Sequence, residues 1–127
     1  MKILVIEDSP EFAGYLKDDL ICRGHKITLK KDADDAIDEF CKIHQYDAVV
    51  LDLMLRLGSR MSHMEGEETG IALYIRIREM NPNIPILILS ARDKSSVLLD
   101  QDTRLRYFEK PLTSINRQSF YTMLEDW

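Results

Sequence analysis

Asp47-Ala48-Val49-Val50-Leu51-Asp52-Leu53-Met54-Leu55 is an almost unbroken apolar run with a carboxylate in its second half. A half-exposed strand alternates polar and apolar residues, whereas a parallel strand covered by helices on both faces reads as continuous. An ionised Asp inside such a strand is costly to bury without a partner. At the strand's C-terminal end it opens instead into the crevice where α/β sheets bind their ligands. Asp52 is therefore the candidate reactive residue. The plainer alternative is a carboxylate that caps the next turn.

Four further apolar runs flank this one. Lys2 to Ile6 reads as a buried strand ending in Glu7-Asp8-Ser9-Pro10, and His25 to Leu29 as a short second strand. Pro85 to Leu89 is a fourth strand ending at Ser90-Ala91-Arg92, and Arg106 to Glu109 a fifth, followed by Lys110-Pro111. Helical spacing separates them. Phe12, Leu16 and Leu20 share one face of a first helix that Ser9 or Asp8 caps, with Pro10 in its first turn and Gly24 near its end. Ala33, Ala36, Ile37, Phe40 and Cys41 mark a second helix, and Ile71 to Met80 a third. Val97, Leu98 and Leu99 suggest a fourth within Asp93 to Thr103, and a last one starts near Thr113. Strand and helix thus alternate through the chain, which implies a parallel sheet with helices on both faces. Residues 1–127 suit one domain, interrupted by a long polar segment from Arg56 to Thr69. Segments of that length are functional or disordered. This one is expected to be mobile or partly disordered.

With 17 Lys and Arg against 22 Asp and Glu, the chain carries a net charge of −5, which argues against a domain that binds nucleic acid by itself. Cys22 and Cys41 lack metal-ligand spacing and read as reduced thiols of a cytoplasmic protein. No apolar run is long enough to span a bilayer, and the first strand begins where a signal peptide would lie.

In a parallel sheet every C-terminal strand end lies at one edge. Glu7, Asp8, Asp52, Ser90 and Lys110 each fall at or just after such an end. Clustered carboxylates raise one another's pKa unless a cation is present. Hard oxygen ligands with open water positions suit Mg²⁺. A carboxylate beside Mg²⁺, a Lys and a hydroxyl is equipped to receive a phosphoryl group.

Four segments, Ile6-Glu7-Asp8, Leu51 to Leu55, Ser90-Ala91-Arg92 and Tyr107-Phe108-Glu109-Lys110-Pro111, together resemble those of a response-regulator receiver domain of two-component signalling. The resemblance covers essentially the whole chain. It implies a flavodoxin-like (βα)5 doubly wound fold, with a five-stranded sheet of order 2-1-3-4-5. It implies that Asp52 accepts phosphate from the phosphohistidine of a histidine kinase or histidine phosphotransfer protein. Asp8 and Asp52 would bind Mg²⁺, with Glu7 acting mainly through water and Met54 through its backbone carbonyl. Lys110 would pair with the phosphoryl oxygens, and Ser90 and the Ala91 backbone N–H would donate to them. Tyr107 matches the aromatic switch position, and Met54 and Arg92 occupy positions that tune how long the phosphoryl group lasts. Such a domain catalyses its own phosphorylation and dephosphorylation without being a conventional enzyme. Its output is a changed surface for a downstream protein or a homodimer, for which Phe120, Tyr121 and Trp127 are candidates if exposed.

The chain departs from the family pattern in having Arg56 where a Pro is common, about ten extra loop residues, and a shortened stretch between Ser90 and Lys110. Two other readings compete. A receiver-like interaction module that works without phosphorylation has no need of Asp8, Asp52, Ser90 and Lys110 together. A flavodoxin-type protein binding FMN needs a phosphate-binding first turn, and Glu7-Asp8 repel phosphate.

Overall fold

The computed structural model describes residues 1–53, 69–90, 102–110 and 112–127, with the side chain of Ser90 outside that set. Five strands, β1 (Lys2–Ile6), β2 (Lys26–Lys30), β3 (Ala48–Leu51), β4 (Ile86–Ser90) and β5 (Leu105–Glu109), form one sheet in the order β2-β1-β3-β4-β5. Every neighbouring pair is parallel. Around the sheet lie α1 (Pro10–Cys22), α2 (Ala33–Glu39), a 3-10 turn (Phe40–Gln45), α3 (Thr69–Met80) and α4 (Arg117–Glu125). The expected flavodoxin-like order is the observed one. The helix expected within Asp93 to Thr103 lies outside the described residues as far as 101.

Alternation along each strand sends side chains to two separate cores. Leu4, Ile6, Val49, Leu51, Ile86 and Ile88 face α2, the 3-10 turn and α3. Ile3, Val5, Ala48, Val50, Leu87 and Leu89 face α1 and α4. Both faces are covered, which is why the central strands read as unbroken apolar runs.

Several boundaries differ from expectation, each for a local reason. The second helix tightens into a 3-10 turn after Glu39; its threefold repeat turns Phe40 and Ile43 inward together. The last helix starts at Arg117 rather than near Thr113. There the Thr113 backbone N–H donates to Asn116 Oδ1 (2.7 Å), and Thr113 Oγ1 accepts from Ile115 and Asn116 N–H, both at 3.2 Å. Side chains that bond the backbone in this way hold a turn against the helix. Thr69, assigned from sequence to the polar segment, is buried and opens α3; the rest of that segment lies outside the described residues. Phe120 and Tyr121 are buried, so they offer no dimer surface, whereas Trp127 packs partly buried on the α1/α4 core. Among the described residues no helix is long and apolar enough to cross a membrane.

At the end of the sheet away from the strand C-termini, Arg78 of α3 clamps the chain before β4 to the chain before β5. Its guanidinium donates to Asp102 Oδ2 at 2.6 Å, the Ile84 carbonyl at 2.7 Å and the Arg104 carbonyl at 3.0 Å. Tyr74 donates its hydroxyl to the same Asp102 oxygen. Burial pushes the Asp102 carboxyl up, but the hydrogen bonds from Arg78, Tyr74 and the Arg104 N–H outweigh it and leave the group below its usual range. Arg78→Ala strands these acceptors together, so it is expected to cost about 2 kcal/mol, measured as a lower urea midpoint at unchanged slope.

Candidate functional site

The sheet order places the site. From β1 the chain moves outward to β2, then returns to the other side of β1 as β3. Such a switch point leaves a crevice beyond the carboxyl ends of the two strands. Ile6 and Leu51 are in register, so Glu7 and Asp52 leave the sheet side by side. Their backbones remain tied to it. Asp52 N–H donates to the Ile6 carbonyl at 2.9 Å, and Glu7 N–H to the Lys30 carbonyl at 3.0 Å.

Glu7 and Asp52 are only 2% and 3% exposed, and Asp8 beside them is half-buried. One oxygen from each of these three carboxylates lies within 4.8 Å of the others. Lys110, just past β5, reaches in from the far side. Its Nζ sits 2.9 Å from Glu7 Oε2 and 3.6 Å from Asp52 Oδ2. Opposite this pair, the Ser9 N–H donates to Glu7 Oε1 at 3.2 Å. Ser9 occupies the N-cap of α1 without a side-chain cap bond, so the expected capping by its hydroxyl is replaced by this turn.

The Glu7 carboxyl is pushed up to about 7. Burial is the main cause; the Lys110 hydrogen bond pulls the other way, and the neighbouring Asp52 charge adds to the rise. Among the described residues the site thus holds more carboxylate than the Lys110 ammonium compensates. A hard divalent cation fits what remains, since the donors are all carboxylate oxygens and partly buried. Glu7, Asp8 and Asp52 are the residues that would hold it.

The structure therefore brings together Glu7, Asp8, Asp52 and Lys110, all four named from sequence. Tyr107 lies on β5 and turns to the α3 face beside Leu105, three residues before Lys110. Ser90 is the last residue of β4, but its hydroxyl, the Ala91 N–H, the Met54 carbonyl and Arg92 lie outside the described residues.

Two residues near the site escaped the sequence reading. Gly70, in the first turn of α3, donates its N–H to the Leu53 carbonyl at 3.0 Å. A Cβ there would fall 2.2 Å from Leu53 Cα and 2.6 Å from the Asp52 carbonyl oxygen. A lone Gly opening an otherwise apolar helix is the signal that marks such a close approach. Phe12, read from sequence only as part of an apolar helix face, sets its ring centroid 4.7 Å from Lys110 Nζ.

Residues 3–113 match the family model described as the response regulator receiver domain. Among characterised relatives, the transcriptional regulatory protein DltR of Streptococcus agalactiae is 30% identical over 95 residues, covering 75% of this chain and 38% of DltR. The chain therefore spans well under half of that relative. The non-phosphorylated HemR receiver domain of Leptospira biflexa superposes with a TM-score of 0.77 at 23% identity, covering 98% of this chain and 90% of HemR. A Burkholderia pseudomallei response regulator with a phosphorylated aspartic acid and a calcium ion superposes with a TM-score of 0.72 at 22% identity, covering 98% and 66% of the two chains. At these identities the two structures speak for the fold. The family match spans nearly the whole chain, and on it this chain belongs to the response regulator receiver domains of two-component signalling.

Proposed function

We propose that residues 1–127 form a single receiver domain, with residues 56–69 inserted, whose Asp52 accepts a phosphoryl group from the phosphohistidine of a histidine kinase or histidine phosphotransfer protein. The convergence of Glu7, Asp8, Asp52 and Lys110 on one crevice supports this most directly. In the transfer an Asp52 carboxylate oxygen attacks phosphorus. The P–O bond forms as the P–N bond breaks, and the bond pair stays on the departing imidazole. Negative charge spreads over the phosphoryl oxygens, and positioning with electrostatic stabilisation supplies nearly all of the catalysis.

Lys110, already 3.6 Å from Asp52 Oδ2, pairs with those oxygens. Ser90 donates its hydroxyl and Ala91 its backbone N–H. Asp8, Asp52 and the Met54 carbonyl, with Glu7 mainly through water, would hold a Mg²⁺ that would supply further positive charge to the same oxygens. Hydrolysis by the domain itself ends the signal.

The new group carries roughly −1.5 to −2 charges and three acceptor oxygens, enough to draw Ser90 and Lys110 inward. Tyr107 follows, and the surface near β5 changes for a downstream protein or a second copy. A Burkholderia pseudomallei response regulator of similar fold carries a phosphorylated aspartic acid and a calcium ion, which supports this reading. A histidine kinase draws its phosphoryl group from ATP, a cytoplasmic metabolite, and we place this domain in the cytoplasm.

Intact-mass spectrometry after incubation with acetyl phosphate tests the proposal. A phosphoryl adduct that requires Mg²⁺ and is absent from Asp52→Asn is the expected result. Folded protein that binds Mg²⁺ yet takes no phosphate from acetyl phosphate or from a histidine-kinase donor would overturn it.

A further inference from the structure

Lys110 lies between carboxylates and an aromatic face. Glu7 Oε2 is 2.9 Å from its Nζ, and the Phe12 ring centroid is 4.7 Å away. Lysine has a flexible stem and a strongly hydrated head, so holding its ammonium at one point requires contacts around it. Glu7 supplies one of them. The face of an aromatic ring supplies another kind: it attracts a cation through its quadrupole without taking up a hydrogen-bond donor. The protons of the ammonium stay available for oxygen acceptors.

The fold constrains where this ring lies. Phe12 lies in the first turn of α1, two residues after Pro10, and is half-buried against the α1/α4 core. The same turn is tied to the site by the Ser9 N–H bond to Glu7 Oε1. Phe12 therefore moves with the segment that carries Glu7 and Asp8. A change in its ring is felt where Lys110 meets the carboxylates.

We propose that Phe12 is a positioning residue for Lys110, its ring face holding the ammonium where it meets the oxygens of a phosphoryl group arriving on Asp52. This inference rests on the phosphoacceptor role of Asp52. A displaced ammonium fails to neutralise charge that develops during transfer, so the maximal rate suffers more than donor binding.

The test is a time course of Asp52 phosphorylation by acetyl phosphate in saturating Mg²⁺, followed by intact mass. Three chains are compared: the unsubstituted chain, Phe12→Leu, and a chain carrying pentafluorophenylalanine at position 12. Fluorination keeps the ring shape and makes its face electron-poor. Both substitutions are expected to lower the maximal rate about fivefold, while the half-saturating donor concentration stays within about twofold. A maximal rate equal to that of the unsubstituted chain in either folded variant overturns the proposal. If Phe12→Leu does not fold, the fluorinated chain decides alone, because it keeps an aromatic ring of nearly the same shape with only a modest gain in volume. An unsubstituted chain that takes no phosphate from acetyl phosphate or from a histidine-kinase donor removes the phosphoacceptor role itself, an outcome read before any variant is compared.

Discussion

Between about pH 5 and pH 8, without divalent cations, the protein is expected to lose roughly 2 to 3 kcal/mol of folding stability, with Glu7 as the source. Its carboxyl sits at about 7 in the folded chain, against an ordinary value of 4.5. Across that interval the folded state keeps a proton that the unfolded chain has already released. Stability therefore falls as pH rises: the contribution is complete below about 4.5 and is lost on passing 7. Two other carboxyls act below this interval. Glu39, bonded by Tyr46, and Glu125, bonded by Arg23, are held below their usual range. What they contribute is lost at lower pH, as the medium becomes more acidic. Urea unfolding across the interval should thus show a declining midpoint in the unsubstituted chain and a nearly level one in Glu7→Gln. Millimolar Mg²⁺ should restore more stability at the alkaline end than at the acidic end, since a cation favours the ionised carboxyl and binds only the folded site. A midpoint that rises with pH, or a decline that persists in Glu7→Gln, would contradict this account.

That single carboxyl shows where sequence reading works and where it stops. Asp52 and Glu7 could be assigned to one sheet edge because each follows an apolar run, and parallel strands carry their C-terminal ends to the same side. Lys110 followed from the same logic at the end of β5. Sequence does not reveal that Lys110 lies closer to Glu7, at 2.9 Å, than to Asp52, at 3.6 Å. That preference arises from packing between elements that lie 103 positions apart in the chain. The Arg78 clamp is hidden for the same reason, since its acceptors come from the entries to two different strands. The late start of α4 has a local cause instead: Thr113 and Asn116 bond the backbone in a turn that apolar periodicity does not register.

Gly70→Ala is expected to cost about 3 kcal/mol, although the same change at Gly14 should stabilise the protein by up to about 1 kcal/mol. Both glycines are helical, Gly14 within α1 and Gly70 at the second position of α3, and neither has a positive φ. Helix propensity therefore favours Ala at each site. What separates them is space. A Cβ at Gly14 meets nothing within 4 Å, whereas at Gly70 it falls 2.2 Å from Leu53 Cα and 2.8 Å from the Leu53 carbonyl oxygen. These are backbone atoms, so no rotamer change relieves the clash; either α3 lifts away or the chain after β3 shifts. Lifting α3 breaks the Gly70 N–H bond to Leu53 and loosens the packing of Leu73 and Ile77 in the α2/α3 core. Shifting the chain displaces Asp52, whose carbonyl oxygen is also struck, at 2.6 Å. On the phosphoacceptor reading, a displacement approaching 1 Å at the attacking residue lowers the phosphorylation rate by about a hundredfold. Urea unfolding of the two variants, followed by acetyl phosphate labelling under native conditions, measures both effects. Opposite signs of stability change at Gly14 and Gly70, with labelling slowed only at Gly70, are the expected pattern. A Gly70→Ala chain as stable as the unsubstituted protein would mean that the first turn of α3 does not press on the acceptor segment.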